Sequence, residues 1–157
     1  MQDLAEIQLT LQEKLQILTN NGVNFDANRV KWALTSDECP GLENAINNNA
    51  GQNANLRQTK IVFLEEGVHD PVTDKGAGLE HIYQRHATQF EARNPGINSR
   101  AAISDFIRDV MTTTGELVDQ GANGGGIKLT YEINNDNNNK LRVATGSNGF
   151  IVTAYPV

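Results

Sequence analysis

The chain has 157 residues, with 13 lysines and arginines against 19 aspartates and glutamates, for a formal net charge of -6. That balance excludes broad, non-specific nucleic-acid binding, because phosphate contacts need clustered lysine and arginine; a local basic site stays compatible with it. The single cysteine, Cys39, excludes an internal disulfide or a cysteine-rich zinc site, and no run of about 18 apolar residues is present to span a membrane. A chain of this length suits one domain with an appended segment, its core large enough to need no staples. Its start lacks the basic and apolar stretches of a signal peptide, so a soluble protein or a piece of a longer one is expected.

Taken in order, Leu4, Ile7, Leu11, Leu15 and Leu18 recur at spacings of three and four, and the reading is an amphipathic helix over residues 3 to 20 that Gly22 ends. Asp26 is placed to cap a short second helix through Val30 and Leu34, with Trp32 as its apolar anchor. Pro40 and Gly41 break the chain, and 42 to 50 predicts another turn or two of helix. Gly51 to Asn55 reads as a surface connection, and Ile61, Val62 and Phe63 mark a strand over residues 60 to 64. The Asn-rich stretches 47 to 49 and 134 to 139 read as solvated loops, with disorder as the alternative.

The following loop carries Glu65, Glu66, His69, Asp70 and Asp74. Carboxylates beside a histidine suit a metal, but the spacing matches no zinc motif, and no metal site is assigned. His69 is either a surface loop histidine or, if the loop folds over the next helix, a second acid/base group. That helix, from Leu79 onward, holds the other two of the three histidines, His81 and His86, with Arg85 beside them. Ile82, His86 and Phe90 recur at helical spacing, so His86 is either a core residue or a catalyst, while His81 and Arg85 share another face. Imidazole titrates near neutrality and guanidinium grips phosphate through paired hydrogen bonds, the combination that proton transfer at a phosphate ester requires.

Asn94-Pro95-Gly96 marks a turn, and Asn98 or Ser99 caps a helix with Ala102, Ile103, Phe106, Ile107 and Val110 on its core face and Gly115 at its end. Residues 121 to 126 read as a flexible glycine-rich link without the lysine and hydroxyl of a phosphate loop. Strands are expected at 127 to 133, 141 to 145 and 150 to 155, as an antiparallel meander. Alternation turns Leu129, Tyr131, Ile133, Leu141, Val143, Phe150, Val152 and Ala154 toward the helices. Lys128, Thr130, Glu132, Arg142, Ile151, Thr153 and Tyr155 fall on the opposite face, which gathers cations, hydroxyls and an aromatic ring.

The segment Gly-Leu-Glu-His-Ile-Tyr-Gln-Arg-His at 78 to 86, then a helix, then a sheet ending in Gly-Phe-Ile-Val-Thr-Ala-Tyr-Pro at 149 to 156, resembles the C-terminal ribonuclease domains of bacterial polymorphic toxins. More narrowly it resembles the barnase/EndoU/colicin/RelE superfamily, which includes toxins of contact-dependent growth inhibition. The Thr-Ala-Tyr-Pro ending also resembles a ribonuclease-A-like toxin family. The resemblance covers residues 60 to 157 and implies an α+β fold, N-terminal helices packed on a C-terminal antiparallel sheet, with residues 1 to 59 a helical import or linker segment or extra helices of the toxin domain. It implies metal-independent cleavage of RNA, tRNA being a frequent target of such toxins, without a cofactor. Of the positions that coincide, His81 would take the 2′-hydroxyl proton, His86 or else His69 would protonate the leaving 5′-oxygen, and Arg85 would stabilise the phosphoryl charge. Thr153 would bond phosphate or a base edge, and Tyr155 would stack on a base. Lys128, Thr130 and Arg142 are the candidate substrate-binding residues. A toxin of this kind implies a cognate immunity protein, possible reliance on a host protein cofactor, delivery from a larger secreted or cell-surface protein, and action in a target bacterium's cytoplasm. The EndoU spacing of histidines and lysine is not matched. The competing reading is a non-enzymatic acidic protein, such as an immunity or adaptor protein, that binds a basic partner; a metal-dependent DNA nuclease finds no convincing carboxylate cluster.

Overall fold

The computed structural model of the chain describes residues 9 to 157, and its fold is α+β. The first described helix, α1 (Leu11–Asn20), starts behind Thr10, whose hydroxyl accepts from Glu13 N while the Glu13 carboxylate accepts from Thr10 N. This reciprocal cap satisfies two of the donors that a helix start leaves open. Leu4 and Ile7, assigned to the same helix from sequence, lie outside the described residues.

Asp26 does cap, but only a single 3-10 turn, and the expected second helix is a strand, β1 (Val30–Thr35). It pairs antiparallel with β2 (Ile61–Glu65), from Thr35 opposite Ile61 to Val30 opposite Glu65. Tertiary contacts decide the matter here. Trp32 and Leu34 enter the main core while Ala33 enters a smaller cluster with Leu18, Ile61 and Phe63, so both faces of the strand are covered. Helices α2 (Leu42–Asn49) and α3 (Asn55–Thr59) follow, the latter starting at the last residue of the expected connection and filling a stretch to which no element was assigned. Trp32, Leu34, Leu42, Ile46 and Leu56 join the same core as Leu129 and Leu141, across the residue 59 and 60 junction.

Beyond β2 the acidic loop forms a small hairpin, β3 (Val68–Asp70) with β4 (Lys75–Ala77). Then come α4 (Leu79–Arg93) and α5 (Arg100–Asp109), which Ser99 caps and a π turn extends to Thr114. The C-terminal sheet has four antiparallel strands in the order β5 (Gly115–Asn123), β6 (Gly126–Ile133), β7 (Asp136–Thr145) and β8 (Ile151–Pro156). Two stretches expected to be loops are largely strand. Only Gly124 and Gly125 turn between β5 and β6, and only Asn134 and Asn135 between β6 and β7. Both asparagines have positive φ, 51° and 60°, the backbone of a tight hairpin turn that asparagine tolerates. Ile151 was assigned to the open face and is fully buried, because a bulge between Ala144 and Thr145 shifts the start of β8 by one residue.

Helix α4 runs the length of β8 along the sheet edge. Gly78 N donates to Val152 O where the helix begins, the His86 ring stacks on Tyr155 midway, and Arg93 Nη1 donates to Val157 O at its end. Leu79, Ile82 and Phe90 meanwhile pack into the core with Ile103 and Ile107 of α5 and with Leu129, Tyr131, Leu141 and Val143 of the sheet. Among the described residues no helix is long and apolar enough to cross a membrane.

Gly78 makes this arrangement possible. Its φ of 86° and ψ of -168° belong to a region that is essentially glycine's alone, and a Cβ there would stand 2.8 Å from Glu65 O. Gly78→Ala is expected to lower the unfolding free energy by about 1–3 kcal/mol. Urea denaturation measures it; a variant as stable as the parent would contradict the strain argument.

Candidate active site

The β3–β4 hairpin lies over the first turns of α4 and brings a second histidine to His81. His69, opposite Gly76 in the hairpin register, has its Nδ1 2.9 Å from His81 Nδ1. Its Nε2 stands 3.5 Å from Asp74 Oδ1, and the other Asp74 oxygen accepts from Arg85 Nη1 at 2.7 Å. Arg85 follows His81 by four residues, one helical turn, so the two side chains lie on the same face. Asp74 therefore ties hairpin to helix through both partners. Both imidazoles are enclosed, His81 at 8% exposure and the His69 side chain at 6%, whereas Asp74 is 57% exposed.

One proton sits between the two Nδ1 atoms, and the surroundings say where. Burial holds the His81 pKa below its ordinary value; the positive charge of His69, Arg85 and His86 acts the same way, against a smaller opposing effect of Asp74. His81 is thus neutral near pH 7. With a His69 proton on Nε2 toward Asp74, His69 Nδ1 accepts from His81 Nδ1–H, and the lone pair of His81 is left on Nε2. No protein partner takes that nitrogen among the described residues.

His86 lies five residues from His81, on a different face of α4. It is half-buried, outside the core, and lies 5.1 Å from the Tyr155 ring in a stacked geometry. Burial lowers its pKa, partly offset by its hydrogen bond to Gln89 Oε1. The helix thus pairs His81 with His69, and His86 with Tyr155, instead of joining His81 to His86.

The sheet continues from Tyr155. Tyr155 is opposite Arg142 and Arg142 opposite Thr130, and Arg142 Nε donates to Thr130 Oγ1 at 3.3 Å. The parallel row runs Thr153, Ala144, Lys128, so that Lys128 stands about 10 Å from Thr153, two strand spacings away. Thr153 Oγ1 is enclosed and has no hydrogen-bond partner among the described residues, a different environment from the substrate-facing hydroxyl expected. Of the residues that sequence singled out, His81 and Arg85 form one group and His86, Tyr155, Arg142 and Thr130 another. Asp74 was named only as a carboxylate near a histidine. The signal for its pairing with His69 was the short spacing of the two around Pro71, which places them across a tight hairpin.

Among the described residues no group of three histidine, cysteine, aspartate or glutamate side chains is arranged to hold a metal ion. Cys39 is buried and its thiol is pushed up to about 12, chiefly by that burial, so it is no nucleophile near neutrality. No protein-family model matches the chain, and no curated protein is significantly similar to it.

A buried histidine with a lowered pKa makes folding sensitive to acid. Unfolded His81 binds its proton near its ordinary pKa of about 6.5 while the folded form resists it, so its contribution is complete above that pH and lost as pH falls toward the folded pKa. His86 acts with the same sign. The unfolding free energy is therefore expected to fall between pH 7 and pH 5 and to fall less in His81→Gln; equal slopes in a urea series would show that His81 is not held neutral.

Proposed function

We propose that the chain is a metal-independent endoribonuclease of the interbacterial toxin kind that its sequence resembles. The observation that carries this reading is the 2.9 Å contact between His69 and His81, backed by Asp74 and Arg85. It supplies what cleavage beside a 2′-hydroxyl needs most, a neutral imidazole of fixed tautomer next to a guanidinium.

In the proposed reaction His81 Nε2 takes the proton of the ribose 2′-hydroxyl, and the oxygen attacks the adjacent phosphorus. The bond from phosphorus to the 5′-oxygen breaks, an RNA lying across both groups on α4 presents that oxygen to His86, which protonates it, and the products are a 2′,3′-cyclic phosphate and a free 5′-hydroxyl. Both imidazoles then exchange protons with water to return to their starting states. His69 is a positioning residue, since its Nδ1 faces His81 Nδ1. Arg142, opposite Tyr155 in the sheet, would offset charge on the phosphoryl oxygens. Tyr155 offers a ring on which an unpaired base can stack. The RNA expected is tRNA, and a cognate immunity protein and delivery into a target cell belong to the same proposal.

The test is incubation of the purified protein with total bacterial RNA in excess EDTA, beside His81→Ala. Discrete fragments ending in 2′,3′-cyclic phosphate, absent with the variant, are expected; His69→Gln should lose about 10²-fold in kcat with less change in KM, as for loss of acid–base help. No cleavage by folded wild-type protein, with cell extract added to supply a host cofactor, would overturn the reading in favour of a binding protein. The two lowered histidine pKa values also set the pH profile. A deprotonated His81 and a protonated His86 coexist best between their two values, both below about 6.5, so kcat/KM should peak on the acid side of that pH. A peak above pH 7 would remove one of the two from its role.

A further inference from the structure

Beyond Tyr155 and Arg142, the open face of the sheet deepens into a polar groove of about 600 Å³ between β5, β6, the start of β7 and the end of α4. Three cations line it: Arg142 and Lys140 from β7 and Arg93 from α4. None has an aspartate or glutamate carboxylate within 4.0 Å among the described residues, although Asp119 and Glu132 line the same groove, Glu132 stands opposite Lys140 in the strand register, and Arg93 bonds Val157 O. What distinguishes the three on a protein of net charge -6 is that they converge on one depression, with Asp119 and Glu132 on its wall but not in ion-pair contact with them. Arg93 is oriented by two bonds from Nη1, to Asn138 O and Val157 O, and no protein partner takes its other guanidinium nitrogens among the described residues.

Resting on the nuclease reading, we infer that this groove binds the single-stranded RNA next to the cleaved bond, with successive phosphodiesters on Arg142 and Lys140 and a third contact from Arg93. Arg142 and Lys140 are two residues apart on one strand face, about 7 Å, a step of the same order as that between phosphates of an extended nucleic-acid strand. The two carboxylates choose between ligands. They repel an acidic peptide at every side chain, whereas a nucleotide offers them the amino and imino donors of its bases while its phosphate meets the cations. A duplex gives up those donors to base pairing, which is why the segment is single-stranded.

The experiment measures binding of a fluorescent 2′-O-methyl RNA oligonucleotide, which keeps bases and phosphates but lacks the nucleophile, by anisotropy between 50 and 200 mM salt, about the range over which phosphate contacts change affinity most visibly. Wild type, Lys140→Ala, Arg93→Ala and Lys140→Arg are compared. Each alanine should weaken binding several-fold and lower the slope of log K against log salt by about 0.7, the value for one single-strand phosphate contact, and Lys140→Arg should keep both. Tight binding with unchanged slopes in both alanine variants, or cleavage of RNA without Lys140-dependent binding, sinks the groove and leaves the nuclease standing. Absence of both binding and cleavage in folded wild type sinks the reading on which it rests. A polyglutamate peptide that binds wild type more tightly than the oligonucleotide and loses its affinity in Lys140→Ala would overturn the assignment of RNA in favour of an acidic partner.

Discussion

The hydrogen bond from Gly78 N to Val152 O joins the start of a helix to the exposed edge of a sheet, and the arrangement of the candidate site follows from it. An edge strand offers a row of unpaired backbone groups that a protein must cover or blunt. Here α4 covers it by lying alongside β8, and the lengths agree: fifteen helical residues span about 22 Å and six extended ones about 20 Å. Once the helix start is fixed at Val152, its periodicity does the rest, sending Ile82 and Phe90 inward and His86 onto Tyr155. The same junction holds the hairpin, because Glu80 N donates to Glu66 O and Gly67 lies against Gly78.

The polar contacts at the site orient groups more than they stabilise the fold. Arg85 and Asp74 are 48% and 57% exposed, and a pair so open to water is worth at most about 1 kcal/mol. Stability comes from the apolar side of α4 and from buried bonds elsewhere. Trp32 Nε1 donates to both Ser104 O and Ser104 Oγ, and the buried Lys14 ammonium bonds Ala33 O and stands 2.6 Å from Glu38. Two buried hydroxyls work the other way, Tyr131 OH and Thr153 Oγ1, without partners among the described residues, each costing about 1–3 kcal/mol if left so.

What could be read from the sequence tracks how local each determinant is. The histidine helix, the Ser99 cap, the core face of α5 and the meander were legible because caps, turns and period-3.6 or period-2 patterns act within a few residues. The strand β1 was not, since burial of Trp32, Ala33 and Leu34 together erases alternation, and their spacing then imitates a helix. Nor was β5, an outer strand whose residues are mostly exposed and which carries no alternation, although Leu117 packs against the core. The asparagine run misled by composition: Asn134 and Asn135 do turn, but Asp136 pairs with Ile133, and 137 to 139 are carried in β7 as a bulge before Lys140 pairs with Glu132. In the site, His81 and Arg85 were legible as neighbours on one helix. The contact of His81 with His69 required the register of a hairpin, and the inward turn of Ile151 required a bulge, neither of which leaves a mark in hydrophobic pattern.

The coupled pair also explains how an imidazole is kept basic enough to act yet neutral at rest. Asp74 acts on His81 in the direction of the charged form, as the smallest of the influences on it. Arg85 takes the other oxygen of the same carboxylate, so Asp74 spends much of its charge on the guanidinium and little on the imidazoles. Burial then decides, disfavouring a charged His81. Because the two rings meet through their Nδ1 atoms, the tautomer of one fixes that of the other: with the His69 proton on Nε2 toward Asp74, the lone pair of His81 stands on Nε2. A His69 proton on Nδ1 instead would make that nitrogen the donor and leave the lone pair of His81 on Nδ1, turned away from a substrate. The hairpin carboxylate thereby sets which nitrogen of the helix histidine is left to act as a base.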